Sequence, residues 1–239
     1  MGHIVLVRHG QARTFEARSD CLSATGEEQM RTLGHYWAGC GATFDEIYSG
    51  TLERQRRSAE IAGAAYAARG GQWPALRVEA GLDEYDSGGM LGRLAPALAA
   101  REPQFRALLE AFERMRETPE RNRHFQRMFE RLVAAWLEGS VPIEGVESWA
   151  QFSARVRGGL QRILRAEGSG RRIAVFTSGG VIGLAVQTTL DAPDRVALEL
   201  NWRIRNCSLT EFTFGPGRVS LDSFNALPHL PAAELRTYR

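Results

Sequence analysis

The sequence predicts an α/β fold: a three-layer α/β/α sandwich around a mostly parallel sheet, with an antiparallel edge strand and a helical insertion. Three observations carry this. Ile4-Val5-Leu6-Val7 and Ile173-Ala174-Val175-Phe176 are short unbroken apolar runs, the pattern of strands buried on both faces of a sheet. Such runs alternate with segments whose apolar residues recur at helical spacing, as in parallel sheets covered by helices. Near the C-terminus, residues 207–214 and 218–224 flank the turn Gly215-Pro216-Gly217, which reads as a hairpin.

In chain order, the run at 4–7 is followed by a polar loop over 10–21. Ser23 or Thr25 can cap a helix to about residue 38, with Met30, Leu33, Tyr36 and Trp37 facing inward. A short strand at 45–49, a helix at 52–69 and a strand at 76–78 come next, leading into the acidic loop 82–86. Residues 94–138 are arginine-rich and helical in pattern, with breaks near Pro103 and Pro119. This stretch reads as an insertion over one edge of the sheet. A helix is expected from about 148 to 167, with Trp149, Phe152, Val156, Leu160 and Ile163 on one face. Its Gly158-Gly159 costs about 1 kcal/mol per glycine, so it must rely on packing. The strand at 172–177 then feeds Ser178-Gly179-Gly180 and a helix to about residue 190. No repeats or low-complexity tracts occur, and 1–239 reads as one domain with an insertion at about 94–140.

The 239-residue chain is long enough to bury a core without disulfides or metals. Its net charge of +2 is too small to argue for nucleic acid. The positive charge is carried overwhelmingly by arginine, whose planar fork suits phosphate and carboxylate. Cys21, Cys40 and Cys207 show neither disulfide nor zinc spacing. No apolar run approaches the roughly 18–20 residues of a membrane span, and Met1-Gly2-His3 leads straight into the first strand without a leader pattern. The expectation is a cytoplasmic protein with no membrane, metal or cofactor dependence.

In open parallel sheets, ligands bind beyond the carboxyl ends of the strands. There the sequence places Arg8-His9-Gly10, residues 49–54, residues 82–89 and residues 177–180. Gly10 would let the backbone approach an anion, Arg8 could fork phosphate oxygens, and His9 offers a nitrogen nucleophile. A structural histidine at a strand end is the alternative. Arg54, Arg56 and Arg57 crowd the first turns of a helix, where cations oppose the helix dipole unless an anion binds. A solvated basic face would explain them too, Arg56 and Arg57 above all. Glu84, flanked by Asp83 and Asp86, could donate a proton to a leaving group if neighbouring carboxylates raise its pKa, or could belong to a solvated turn.

Together these segments resemble the histidine phosphatase superfamily, in the branch that includes phosphoglycerate mutase and many small phosphatases. Leu6-Val7-Arg8-His9-Gly10-Gln11 matches the family's strand and RHG loop, and Leu22-Ser23-Ala24-Thr25-Gly26 its L-[ST]-x-x-G helix start. Residues 49–59 resemble S-x-L-x-R-x-x-x-[ST]-A, and Leu82-Asp83-Glu84 with Gly88 and Gly92 resembles L-x-E-x-x-x-G-x-x-x-G. Asn206-Cys207-Ser208, Phe224-Asn225 and His229-Leu230 resemble its closing strands and tail. The resemblance implies that Arg8 and Arg54 clamp a phosphoryl group, that His9 attacks phosphorus, and that Glu84 protonates the departing oxygen. Gln11, Ser178 and the backbone of Gly10 and Gly179 would shape the phosphate pocket. No metal is implied, because arginines supply the positive charge.

Two departures matter. The family's [ST]-H-G-G reads here Thr177-Ser178-Gly179-Gly180, so Ser178 stands where a second histidine is expected; none of His3, His35, His124 or His229 fits that pattern. The loop after Gly10 also looks shortened, and Phe15 replaces a mutase asparagine. Both favour hydrolysis over mutase activity. Removing one donor to a developing anion typically slows catalysis by about 10²–10³-fold. The expected function is therefore a phosphomonoesterase, with a weakened or inactive phosphate-binding regulatory module as the alternative. The partner would be a phosphorylated small molecule or phosphoprotein. The 94–138 helices would serve as a substrate-selecting lid or as the interface of a homodimer.

Overall fold

The computed structural model describes residues 1–13, 20–141, 144–165 and 170–238. The expected replacement at Phe15 lies outside the described residues. Two compact units emerge, one of Met1–Glu84 with Arg155–Arg239, the other of Tyr85–Ala154. The second is wider than the insertion expected at about 94–140.

The first unit begins with β1 (Gly2–Arg8), then α1 (Ala24–Gly39), β2 (Glu46–Ser49), α2 (Glu53–Ala67) and β3 (Leu76–Val78). The chain then forms α3 (Ser87–Gly89), α4 (Ala95–Arg101), α5 (Pro103–Arg114), α6 (Arg121–Glu138) and α7 (Trp149–Arg165). It closes with β4 (Arg172–Thr177), α8 (Gly179–Thr189), α9 (Arg195–Asn201), β5 (Leu209–Gly215) and β6 (Arg218–Ala226).

The strands form one sheet in the order β3-β2-β4-β1-β5-β6. β1, β2, β3 and β4 run parallel, while β5 and β6 add the antiparallel edge. Strand alternation divides the side chains between two faces. Val5, Val7, Ile47, Ala174 and Phe176 pack with Met30, Leu33 and Trp37 of α1 and Ala59 and Ala62 of α2. On the other face Ile4, Leu6 and Phe212 line a cavity of about 330 Å³ with Leu160 and Leu164 of α7 and Leu184 of α8. Helices thus cover both faces, as the unbroken apolar strands require. Ser23, not Thr25, caps α1: its Oγ accepts from the Gly26 N–H at 3.1 Å.

In the second unit the helix breaks fall at the expected prolines, because Pro103 opens α5 and Pro119 lies in the turn before α6. A π-helical turn, Met90–Leu94, joins α3 to α4 and was not anticipated. Rings fill this unit's core, where Tyr85 stacks on Phe129 and meets Trp136 and Phe152. Among the described residues no helix is long and apolar enough to cross a membrane.

Candidate active site

β1 and β4 are hydrogen-bonded neighbours in a register that pairs Arg8 with Thr177, so His9 and Ser178 leave the sheet side by side. The His9 N–H donates to the Thr177 carbonyl at 2.9 Å. From the other side, the Cys207 N–H reaches the Arg8 carbonyl at 3.0 Å and the His9 carbonyl at 3.3 Å. Cys207 adopts a left-handed conformation there, with φ of 60°. The imidazole has no slack in its backbone.

The His9 side chain is 6% exposed. Its Nδ1 lies 2.7 Å from the Gly10 carbonyl, which can only accept, so Nδ1 carries the proton. Nε2 keeps its lone pair and accepts from Arg54 Nε at 3.2 Å. Burial, with the charges of Arg54 and Arg8, holds the His9 pKa well below its ordinary value, against the raising effect of the Gly10 hydrogen bond. A neutral imidazole with an in-plane lone pair is the form a nucleophile needs.

Arg54 is fixed by Asp20, a residue the sequence did not single out. Asp20 Oδ1 takes Arg54 Nη1 at 2.6 Å, and Oδ2 accepts from the Glu53 N–H at 2.8 Å. Leu52, at the N-cap of α2, has no side-chain cap bond, so Asp20 caps the helix from the connection between β1 and α1. Ser58 ties the same turn to the first loop: its Oγ accepts from the Gly10 N–H at 3.1 Å and donates to the Arg54 carbonyl at 2.7 Å. Arg56 and Arg57 are exposed, and among the described residues Arg57 pairs with Glu60 of its own helix; for these two the solvated-face reading holds.

Three residues expected at the phosphate pocket also hold the surrounding backbone together. Gly10 is needed because a Cβ would strike the Gly26 carbonyl of α1, and its N–H already serves Ser58; the close approach is to a helix. Gln11 Oε1 accepts from Ser23 Oγ at 2.9 Å, bracing the start of α1. Arg8 Nη1 donates to the carbonyls of Ile204 and Tyr238, the latter at 2.8 Å.

Glu84 stands beside the start of α8, its Oε2 accepting from the Gly180 N–H at 3.0 Å. The expected carboxylate cluster is dispersed. Asp83 accepts from the N–H and the hydroxyl of Thr51, both at 2.6 Å, and Asp86 from the Gly89 N–H at 2.8 Å. Arg155 Nη1, also unforeseen, gathers the carbonyls of Ala80, Gly81 and Asp83 at 3.0–3.3 Å and so fixes the segment before Glu84. Ser178 is fully buried at the N-cap of α8, and the Gly179 N–H in that first turn has no protein partner among the described residues. Among the described residues no three His, Cys, Asp or Glu side chains group as metal ligands.

Known proteins can be set beside this geometry. The family model described as histidine phosphatase superfamily (branch 1) matches residues 4–140 and 134–227. No curated protein matches. Among solved structures, the fold is similar to a mycobacterial glucosyl-3-phosphoglycerate phosphatase complexed with inorganic phosphate, at 20% identity and a TM-score of 0.60, covering 96% of this chain and 100% of that one. It is also similar to phosphoglycerate mutase from Bacillus anthracis, at 15% identity and 0.63, covering 95% and 94%. A phosphoserine phosphatase from Entamoeba histolytica, complexed with 3-phosphoglyceric acid, gives 17% and 0.61, covering 96% and 100%.

Proposed function

This chain belongs to branch 1 of the histidine phosphatase superfamily, and on that premise we propose that it hydrolyses phosphoric monoesters through a phosphohistidine at His9. One observation carries the reading: Nδ1 is bound to the Gly10 carbonyl, which leaves Nε2 unprotonated against the Arg54 guanidinium.

A phosphoryl oxygen is charged and accepts more strongly than an imidazole nitrogen. On binding it takes the Arg54 Nε–H and releases the Nε2 lone pair for attack. The Nε2–P bond forms as the ester P–O bond breaks, and the leaving oxygen takes its proton from Glu84. The phosphorylated ring then carries positive charge, which the Nδ1–H bond to the Gly10 carbonyl stabilises. Water next attacks phosphorus, Glu84 receives its proton, the N–P bond breaks, and inorganic phosphate leaves. Arg54 and Arg8 supply countercharge, while Ser178 and the Gly179 N–H donate to the phosphoryl oxygens. The substrate is a phosphorylated small molecule or phosphoprotein, and water, not a second phosphate acceptor, completes the cycle.

The neutral Ser178 also motivates a second reading, a phosphate-binding module without turnover. Hydrolysis of para-nitrophenyl phosphate by the wild type and by His9→Ala separates them. The proposal expects turnover that His9→Ala loses. Phosphate binding without hydrolysis would favour the module, and equal activity in both proteins would overturn the phosphohistidine route.

A further inference from the structure

Gln55 follows Arg54 in α2, yet its side chain points into the protein and is fully buried. Its Nε2 donates to the Leu82 carbonyl at 3.0 Å and to Ser178 Oγ at 2.9 Å. The Leu82 carbonyl can only accept, so the amide nitrogen must lie on this side. Both amide protons are then committed, and Ser178 Oγ must accept. Its own proton is left to be donated elsewhere.

Ser178 sits at the N-cap with extended geometry, φ −125° and ψ 169°, but its hydroxyl makes no cap bond. Glu84 reaches in from another loop to take the Gly180 N–H. Among the described residues the Ser178 hydroxyl proton meets no acceptor, although the side chain is completely buried. Buried hydroxyls seldom go without one. Ser178 leaves the sheet beside His9, which is where the proposed phosphoryl group would bind.

Gln55 keeps this arrangement at a cost. Its Oε1 is buried without a partner against Gly50, where a Cβ would collide with it. An apolar side chain of the same length would avoid that orphaned oxygen, so the amide is retained for what its nitrogen does. The same Leu82 carbonyl accepts from Thr177 Oγ1 at 2.7 Å, which links β4 to the segment leading to Glu84.

We infer that Gln55 is a positioning residue whose amide turns the Ser178 hydroxyl proton towards the bound phosphoryl group. It deepens the reading of the site as a phosphoryl pocket and rests on it. An uncharged amide–hydroxyl pair thereby provides a donor at the end of β4 that does not titrate between about pH 5 and 9, since neither group ionises there.

The test is a double-mutant cycle on Gln55→Met and Ser178→Ala, reading kcat and KM for para-nitrophenyl phosphate and calorimetric affinity for inorganic phosphate. Ser178→Ala should lower kcat by about 10²-fold, Gln55→Met by about tenfold, and the double variant no further than Ser178→Ala alone. The kcat ratio of Gln55→Met to wild type should stay constant across that pH range. Gln55→Glu, whose carboxylate would accept from Ser178 and reverse the bond, should lose at least as much kcat as Gln55→Met. A merely structural glutamine would instead multiply its loss onto Ser178→Ala, and that result, or an unchanged kcat in Gln55→Met, overturns the inference. If the wild type binds phosphate without turnover, the same non-additivity must appear in phosphate affinity. His9→Ala is run alongside: its indifference would sink the phosphohistidine reading, whereas a His9-dependent enzyme indifferent to Gln55 would sink this inference alone.

Discussion

The two ends of the sheet both gather arginines, and they use them in opposite ways. At the amino ends of the strands, Glu46 opens β2 and receives Arg171 Nε at 2.6 Å, Arg77 Nη1, and the Tyr48 hydroxyl at 2.6 Å. Burial there would raise the Glu46 pKa, but the hydrogen bonds of Tyr48 and Arg171 and the charges of Arg171 and Arg77 outweigh it and hold it low. That cluster contains its own anion. At the carboxyl ends, Arg8 donates to backbone carbonyls, and Arg54 faces a neutral imidazole and a half-exposed Asp20. At the amino ends a buried carboxylate holds the arginines; at the carboxyl ends the proposed phosphoryl group would fill that place.

The largest expected effect breaks the carboxyl end. Arg54→Met should lower kcat/KM for an aryl phosphate by about 10³-fold, since a charged donor to the phosphoryl group is lost. Chemical denaturation should show stability moving by under about 1 kcal/mol, because the partner Asp20 is half-exposed. A stability loss comparable to the activity loss would make Arg54 structural and erase the contrast.

The converse change is Glu46→Gln. It leaves Arg171, 6% exposed, without its buried counter-charge, which should destabilise the fold by about 3–5 kcal/mol. Turnover per folded molecule should be unaltered. Denaturant titration with active-site counting reads both, and a selective loss of kcat would contradict the assignment.

His229 sharpens the comparison with His9, being a buried imidazole beside a thiol instead of an arginine. Its Nε2 lies 3.2 Å from Cys207 Sγ. Burial lowers its pKa to about 4, against the raising effect of Cys207. Between pH 6.5 and 4 the unfolded chain binds a proton that the folded chain refuses. Stability from this group is thus full above 6.5 and is lost as pH falls towards 4, by on the order of 3 kcal/mol. His9 adds a loss of the same sign. Urea midpoints across this window should fall less steeply in His229→Gln, and an unchanged slope would refute the claim. Because His9 is already neutral at pH 6.5, kcat/KM should show no acid limb there.

The smallest effect belongs to Arg57→Ala. Its side chain is exposed and, among the described residues, pairs within α2, so stability should move by less than about 0.5 kcal/mol and kcat/KM by less than about twofold.

Much of this was legible in the sequence. The central strands announced themselves because burial on both faces permits no polar alternation, and the RHG loop and the segment around Arg54 could be read locally. What escaped depends on partners distant along the chain. α9 is a seven-residue helix, too short to show a period. Asp20 and Arg155 act through tertiary hydrogen bonds that no local pattern encodes, and Gln55 looks like any helix residue until Ser178 and Leu82 are beside it. At Gly10 the sequence suggested room for a close backbone approach, and the neighbour that a Cβ would strike is the Gly26 backbone of α1. In the motif around Arg54, Ser58 had a position but no role until its bonds to Gly10 and Arg54 were visible.

The central claim is that the Gly10 carbonyl fixes the His9 tautomer so that Nε2 takes the phosphoryl group. The most direct measurement is rapid alkaline quenching of the protein during turnover of an aryl phosphate, with mass spectrometry and phosphorus NMR to locate the acid-labile phosphate. A phosphoryl group on Nε2 of His9, absent in His9→Ala, is the predicted result. Phosphate on Nδ1, or on another side chain, would contradict it.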